Sequence, residues 1–183
     1  MDRNQVETNV DIAVTELLAL PKAGKTASTE HRQALYSMLS FVKPSDTITK
    51  TVINSILPLL PKETNSIALQ KLVSTWELYI VHLLKSGQQI TSDQTSYITS
   101  SLISAKPETK HLFCHLVGSI LWQFHDLPSD AVQAFAKHLV GSLETNLKAI
   151  ASSPLNAPAG PLEGYIAVAT FLGPLSRYPE FGM

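Results

Sequence analysis

Apolar residues recur at every third or fourth position along most of this chain, the spacing that puts one oily stripe on an α-helix. The first such stretch, roughly Gln5 to Leu18, sets Val6, Val10, Val14, Leu17 and Leu18 on one face. The polar segment Pro21-Lys22-Ala23-Gly24-Lys25 ends it. A second helix is expected from Ser28 or Thr29, with Glu30 in its first turn and Leu35, Met38, Leu39 and Val42 inward. Pro44 stops it, because the residue before a proline is pushed out of the helical region. The third opens at Ser45-Asp46 and carries Ile48, Val52, Ile53, Ile56, Leu57 and Leu60, with Pro58 expected to kink it. The fourth has the clearest stripe (Leu69, Leu72, Val73, Trp76, Ile80, Leu83, Leu84), closed by Ser86-Gly87 as a left-handed cap.

The second half repeats the theme. Thr91 and Gln94 form a capping box ahead of Tyr97, Ile98, Leu102 and Ile103. Pro107 suits the first position of a sixth helix, where its missing N–H costs nothing, and Phe113, Leu116, Val117, Ile120, Leu121 and Phe124 follow. A long seventh helix starts near Ser129-Asp130 and keeps Val132, Phe135, Leu139, Val140, Leu143, Leu147 and Ile150 in phase. After the loop Ser152 to Pro161, an eighth carries Leu162, Ile166, Ala169, Phe171 and Leu172 and breaks at Gly173-Pro174. No segment alternates with period two for the length of a strand.

Pairs of these helices begin near Gln5, Ser45, Thr91 and Ser129. A recurrence of roughly forty residues is that of HEAT or armadillo hairpins, and short connections make neighbours antiparallel. The expected fold is therefore all-α: an α-α superhelix, or HEAT/armadillo-like solenoid, of about four antiparallel helix pairs. Residues 1–183 read as a single HEAT-like helical repeat domain. A compact helical bundle satisfies the same periodicity, since the pattern reports apolar faces and not stacking order. The usual HEAT pairing of an acidic residue in the inter-helix turn with a basic one in the second helix is not found; Asn65 and Ala68 stand near those places.

Composition narrows function by exclusion. With 14 basic and 15 acidic residues the net charge is −1, and only Arg3, Arg32 and Arg177 are arginines. Such a balance has no electrostatic footprint for nucleic acid or an anionic membrane. Cys114 is the single cysteine, so no internal disulfide can form, which fits a reducing compartment. The polar N-terminus and the absence of a long apolar run point to a cytoplasmic protein with no membrane partner.

Candidate chemistry is thin. His111 and His115, spaced i and i+4, share a helix face and would suit zinc, with Cys114 beside them. Cys114 points about 100° away, however, and Leu112 stands where a HExxH site needs glutamate. They read as two polar-face histidines and a small buried cysteine; His82, His125 and His138 are isolated. The serines and threonines from Thr91 to Ser104 read as a solvated helix face or as sites for phosphorylation rather than as an active site, and Ser119 after Gly118 as a close-packing position. Gly24-Lys25-Thr26 lacks the upstream glycine of a phosphate loop. Trp76 and Trp122 read as core. No catalytic, cofactor-binding or metal-ligating residue is assigned, no cofactor is expected, and the chain reads as a non-enzyme.

Two segments resemble a known family. Pro61-Lys62-Glu63-Thr64-Asn65-Ser66-Ile67-Ala68-Leu69 is similar to a stretch near the N-terminus of the fungal general-control translational activators. So is the longer run from Leu143 to Ile150 and from Pro154 to Ala169, with its unusual loop-to-helix junction Pro158-Ala159-Gly160-Pro161-Leu162-Glu163-Gly164-Tyr165. These activators are giant HEAT-repeat factors that work with the kinase of initiation factor two. The resemblance implies a cytoplasmic, ribosome-associated scaffold that helps pass an uncharged-tRNA signal to the kinase in amino-acid starvation. It further implies one slice of the N-terminal arm, a fragment of a much longer solenoid, whose partners are the ribosome or ribosomal proteins and neighbouring repeats of the parent; the charge balance, for its part, speaks against direct sequence-specific nucleic-acid binding. Two other readings compete: an unrelated α-solenoid adaptor of the nuclear-transport type holding peptides or helices, and an all-α metal-dependent hydrolase using His111 and His115. Helices one and eight expose apolar faces with no capping repeat beyond them, so the isolated chain is expected to dimerise or aggregate.

Overall fold

A serine, an asparagine and a threonine-glutamine pair start three of the helices, each by supplying an acceptor to backbone N–H groups that no helix can satisfy internally. In the computed structural model the described residues are 12, 14–16, 19, 28–102, 106–124 and 130–151. Every regular element among them is helical. Packing divides the chain into two units, Met1–Ser86 and Gly87–Met183.

In the first unit, α1 (Thr29–Ser40) begins where the Ser28 hydroxyl accepts from the His31 amide at 3.2 Å, with Glu30 in the favourable first turn. It buries Leu35, Tyr36 and Leu39, whereas Met38, expected inward, is 42% exposed. The buried face runs through 35, 36 and 39 because Tyr36, amphipathic and hidden to the hydroxyl, fills the place assigned to methionine. The helix closes at Phe41 and Val42, ahead of Pro44, through bonds to the carbonyls of Met38 and Leu39.

α2 (Asp46–Ile56) buries Val52, Ile53 and Ile56. Pro58 does not kink a continuing helix, as the pattern had suggested, but ends it. Having no N–H to give, Pro58 lets the chain tighten: the Leu59 amide bonds to Ile56 at 2.9 Å, and a 3-10 turn, Leu60–Lys62, follows. Leu59 and Leu60 stay buried in that turn, which explains why their spacing looked helical.

α3 (Ser66–Lys85) is the axis of this unit. Asn65 caps it by accepting from the Ala68 amide at 3.0 Å, and Gly87 terminates it at φ +74°, as its position predicted. All seven stripe residues are buried, along with Ala68, Thr75, Tyr79 and Val81. So wide a buried arc requires two neighbours, and α3 packs on both α1 and α2. At roughly 1.5–3 kcal/mol per fully buried large apolar side chain, this one helix supplies much of the unit's driving force.

Hydrogen bonds fix the directions. Thr75 donates to the Tyr36 carbonyl at 3.1 Å and Tyr79 to the Leu39 carbonyl at 3.0 Å, so α1 and α3 advance together. His82, in the last turn of α3, meets Asp46, the first residue of α2, at 3.3 Å. Hence α2 and α3 are antiparallel. A helix with an antiparallel hairpin partner and a parallel neighbour from the preceding hairpin is the local geometry of an α-α superhelix.

The second unit follows similar rules. The Thr91 amide donates to Gln94 Oε1 at 3.1 Å and the Gln94 amide to Thr91 Oγ1 at 3.4 Å, the reciprocal box the spacing predicted. It starts α4 (Ser92–Leu102), which packs on α5 (Pro107–Gln123) and on α6 (Asp130–Ala151). Contact with both the next helix and the next but one again matches stacked hairpins. Tyr97 meets Phe113 edge to face, with ring centroids 5.6 Å apart. Pro107 occupies the first turn of α5, and the six apolar residues assigned to this helix are buried. Val132, Phe135 and Leu139 are buried on α6, and Val140 is half-buried.

Two expectations for this unit are corrected. Trp122 is 60% exposed and is not core; the buried arc of α5 is complete without it in Ile120, Leu121 and Phe124. Thr95, Thr99 and Ser101 are buried, so the hydroxyl-rich face of α4 is not simply solvated. Thr95 and Thr99 return their hydroxyl protons to the carbonyls of Thr91 and Ser96, which removes most of the cost of burying them. Of the first predicted helix, residues 12, 14–16 and 19 are helical and Val14 is buried. The eighth helix, the loop before it and the side chains of Leu143, Leu147 and Ile150 lie outside the described residues.

Candidate functional site: a buried ion-pair clamp beside an open groove

The residues with catalytic potential are dispersed. His111 and His115 stand exposed on α5, while Cys114 between them is buried. Burial pushes the Cys114 thiol up, against the opposing charge of Lys110. Such a thiol is a poor nucleophile. Among the described residues no three His, Cys, Asp or Glu side chains converge as a metal site would require. His82 faces Asp46, and His31 faces Glu16 at 3.4 Å. His138 is exposed on α6, and Ser119 accepts a bond from Gln123 at 3.3 Å. His125 and Gly24-Lys25-Thr26 lie outside the described residues.

The dominant electrostatic feature is one that spacing rules did not anticipate. Glu63 leaves the 3-10 turn between α2 and α3 and points back at α1, with its side chain only 2% exposed. Arg32 of α1 grips it with both arms of its fork: Nε donates to Oε2 at 2.8 Å and Nη2 to Oε1 at 3.1 Å. The Tyr36 hydroxyl donates to Oε2 at 3.1 Å, and the Asn65 amide donates to Oε1 at 3.1 Å. Burial opposes the charge on Glu63, but the bonds from Arg32, the Asn65 amide and Tyr36 outweigh it and hold the carboxyl below the usual range. The same bonds raise Arg32. Tyr36 is raised by burial first and by the adjacent carboxylate second; Tyr79 is pushed up to about 12 by burial. Neither phenol ionises under ordinary conditions, so both act as fixed donors.

This cluster takes the place of the acid-base pairing sought in the sequence. An acidic residue does occupy the inter-helix turn, but its basic partner comes from α1 in the preceding hairpin, 31 positions earlier, and not from the helix that follows. The one local signal was a lone glutamate two residues before a helix-capping asparagine. The clamp pins the turn of one hairpin to the helix of the previous one. Its chemistry is structural, since every lone pair it presents is occupied by protein donors.

Beside the clamp, α1 and α3 leave an open groove of about 430 Å³ with Tyr36 and Thr75 at its floor. Thr75 already spends its proton on the Tyr36 carbonyl, so the floor is polar but satisfied. The rim carries Ser37, Ser40, Gln70, Lys71 and Ser74, flanked by Ile67, which is 57% exposed. Nothing in this groove pairs a nucleophile with a base; it is a surface for contact.

The helices and turns that build this clamp fall within a known family pattern. Residues 29–182 match the model of the General control nonderepressible 1 (Gcn1) N-terminal family. The chain belongs to that family. The matched region begins at Thr29, the first residue of α1, and covers the first unit from there on and nearly all of the second. Comparisons with curated proteins and with solved structures gave no match. The chain is thus a segment of a translational-control protein of the Gcn1 type. In this family the N-terminal region is of scaffold type and is not a known enzyme. Among the described residues no helix is long and apolar enough to cross a membrane. The segment from Pro61 to Leu69, which carried the first resemblance, is the 3-10 turn, the clamp's Glu63 and the Asn65 cap. Its family likeness therefore reflects how hairpins are joined. The second segment, beyond Glu144, lies outside the residues whose side chains are described.

Proposed function

We propose that this chain is a non-enzymatic, HEAT-type scaffold segment from the N-terminal arm of a Gcn1-like activator, acting in the cytoplasm in the amino-acid starvation response. The observation that carries the reading is the family match over residues 29–182, joined to an architecture that spends its polar chemistry on fastening one hairpin to the next. Within the longer protein the segment contributes to ribosome docking, and kinase activation rests on regions outside it. Residues 1–183 form one repeat array, which in the parent continues into further repeats.

A net charge of −1 argues for contact with a ribosomal protein over rRNA phosphate, because each neutralised phosphate needs a cation. Co-sedimentation with ribosomes across a salt series tests this. Binding at low salt with a shallow salt dependence is expected. Absence of binding even at low salt removes docking from this segment, and a slope equivalent to several phosphates would transfer the contact to rRNA. Calorimetry tests the single array: one cooperative transition is expected, and two separate ones would make the units independent.

A further inference from the structure

The groove between α1 and α3 has a chemistry that ribosome association does not explain. Its one cation, Lys71, is held over it by a bond from Nζ to Ser37 Oγ at 2.9 Å, and no carboxylate approaches Lys71 among the described residues. That contrasts with Arg32 one turn earlier on α1, whose charge is consumed by Glu63. Because Ser37 accepts from the ammonium, its own proton remains available. Ser40 differs, its proton being committed to the Ser37 carbonyl at 2.8 Å. With Gln70 and Ser74 adding groups that both donate and accept, the groove presents the lysine's positive charge and an apolar shoulder at Ile67.

We propose that this groove docks an acidic peptide segment of a partner protein, with one Asp or Glu carboxylate on Lys71 and Ser37 and an adjacent apolar side chain on Ile67. The charge count selects this occupant. A single ammonium balances a single carboxylate. A phosphorylated side chain, at ≈ −1.5 to −2, is ordinarily met by an arginine cluster, and among the described residues no second Lys or Arg lines the groove. Single-stranded nucleic acid would need stacking surfaces, but among the described residues lining the groove the only aromatic ring, Tyr36, is 1% exposed and sealed into the floor. The two helices advance in parallel, so the trough between them follows their axes and suits an extended chain. A volume of about 430 Å³ lies at the lower end of the range of small-ligand pockets, room for a few side chains and not for a folded domain.

The test is selection from a phage-displayed library of random linear peptides on the whole chain, run in parallel on wild type and on Lys71→Glu. Enriched wild-type peptides are expected to carry Asp or Glu beside an apolar residue. Synthesised, they should bind at least roughly tenfold more weakly to Lys71→Glu in fluorescence anisotropy at low salt, while circular dichroism melts of the two proteins coincide. Selection on Lys71→Glu should turn toward Lys and Arg. Ser74→Trp, which fills the groove without changing charge, should also abolish binding. Failure to enrich acidic peptides, binding indifferent to both substitutions, or capture of phosphorylated peptides alone would overturn the proposal. Ribosome co-sedimentation by Lys71→Glu keeps the two proposals apart: it is expected to match wild type whether or not the peptides bind.

Discussion

Replacing Arg32 by methionine keeps the aliphatic stem of the side chain and removes only the charged fork. Glu63 would then keep the Tyr36 hydroxyl and the Asn65 amide but lose both guanidinium bonds, at 2.8 and 3.1 Å. Breaking one side of a buried ion pair costs about 3–5 kcal/mol. Arg32 is 19% exposed, so water reaches one end of the cluster and screens it, which brings the cost below that scale to about 2–3 kcal/mol. For a chain of this length melting in one transition that corresponds to roughly 4–12 °C in melting temperature. The pH dependence discriminates further. In the wild type the folded-state pKa of Glu63 is depressed, so its stabilisation is complete above the ordinary carboxylate value and is lost as pH falls through the folded pKa. Without Arg32, burial prevails and the folded-state pKa rises above the ordinary value; the variant regains ground on acidification because the buried group can go neutral. Urea unfolding followed at 222 nm should therefore show a large gap between the proteins at pH 7 and a smaller one near pH 4, with unchanged denaturant slopes. A loss below about 0.5 kcal/mol at pH 7, or a gap independent of pH, would refute the clamp as described. The double variant with Glu63→Gln should be more stable than Arg32→Met alone, since no buried charge is then stranded.

Three further outcomes are expected. Leu72→Ala, at a position with 0% exposure, should cost about 2–5 kcal/mol in chemical denaturation, while Ile67→Ala on the groove rim stays within about 0.5 kcal/mol. Asn65→Ala removes the acceptor for the Ala68 amide and should cost about 1 kcal/mol, largely recovered by Asn65→Ser; equal stability of all three proteins would deny the cap its role. Cys114 should resist an aromatic disulfide reagent in the folded chain at pH 8 and react quickly in denaturant, because burial both shields the thiol and disfavours its thiolate.

The helices were legible in the sequence because what makes them is short-ranged. The Thr91–Gln94 box, the Gly87 terminator, Pro107 in a first turn and the seven-residue stripe of α3 are all signals within a few positions of one another. Any chain with that local order gains the same backbone bonds, whatever lies opposite. All-α architecture and hairpin periodicity follow from them, as did the family resemblance, since Pro61 to Leu69 is itself a local joining unit.

What only the tertiary structure decided depends on which faces meet. Apolar periodicity reports that Trp122 borders a stripe, but not that the stripe is filled before the indole is reached. It cannot foresee that Thr95 and Thr99 are covered, because their hydroxyls are satisfied within the helix and leave no sign in composition. Above all, Arg32 and Glu63 are 31 positions apart, and no local rule selects that pair. Charges interact through space, and only the parallel packing of α3 on α1 brings the turn before α3 under the arginine. The same packing opens the groove over which Lys71 bonds to Ser37. Hydrogen bonding within a helix is settled by neighbours in the chain, whereas ion pairing and surface shape are settled by neighbours in space.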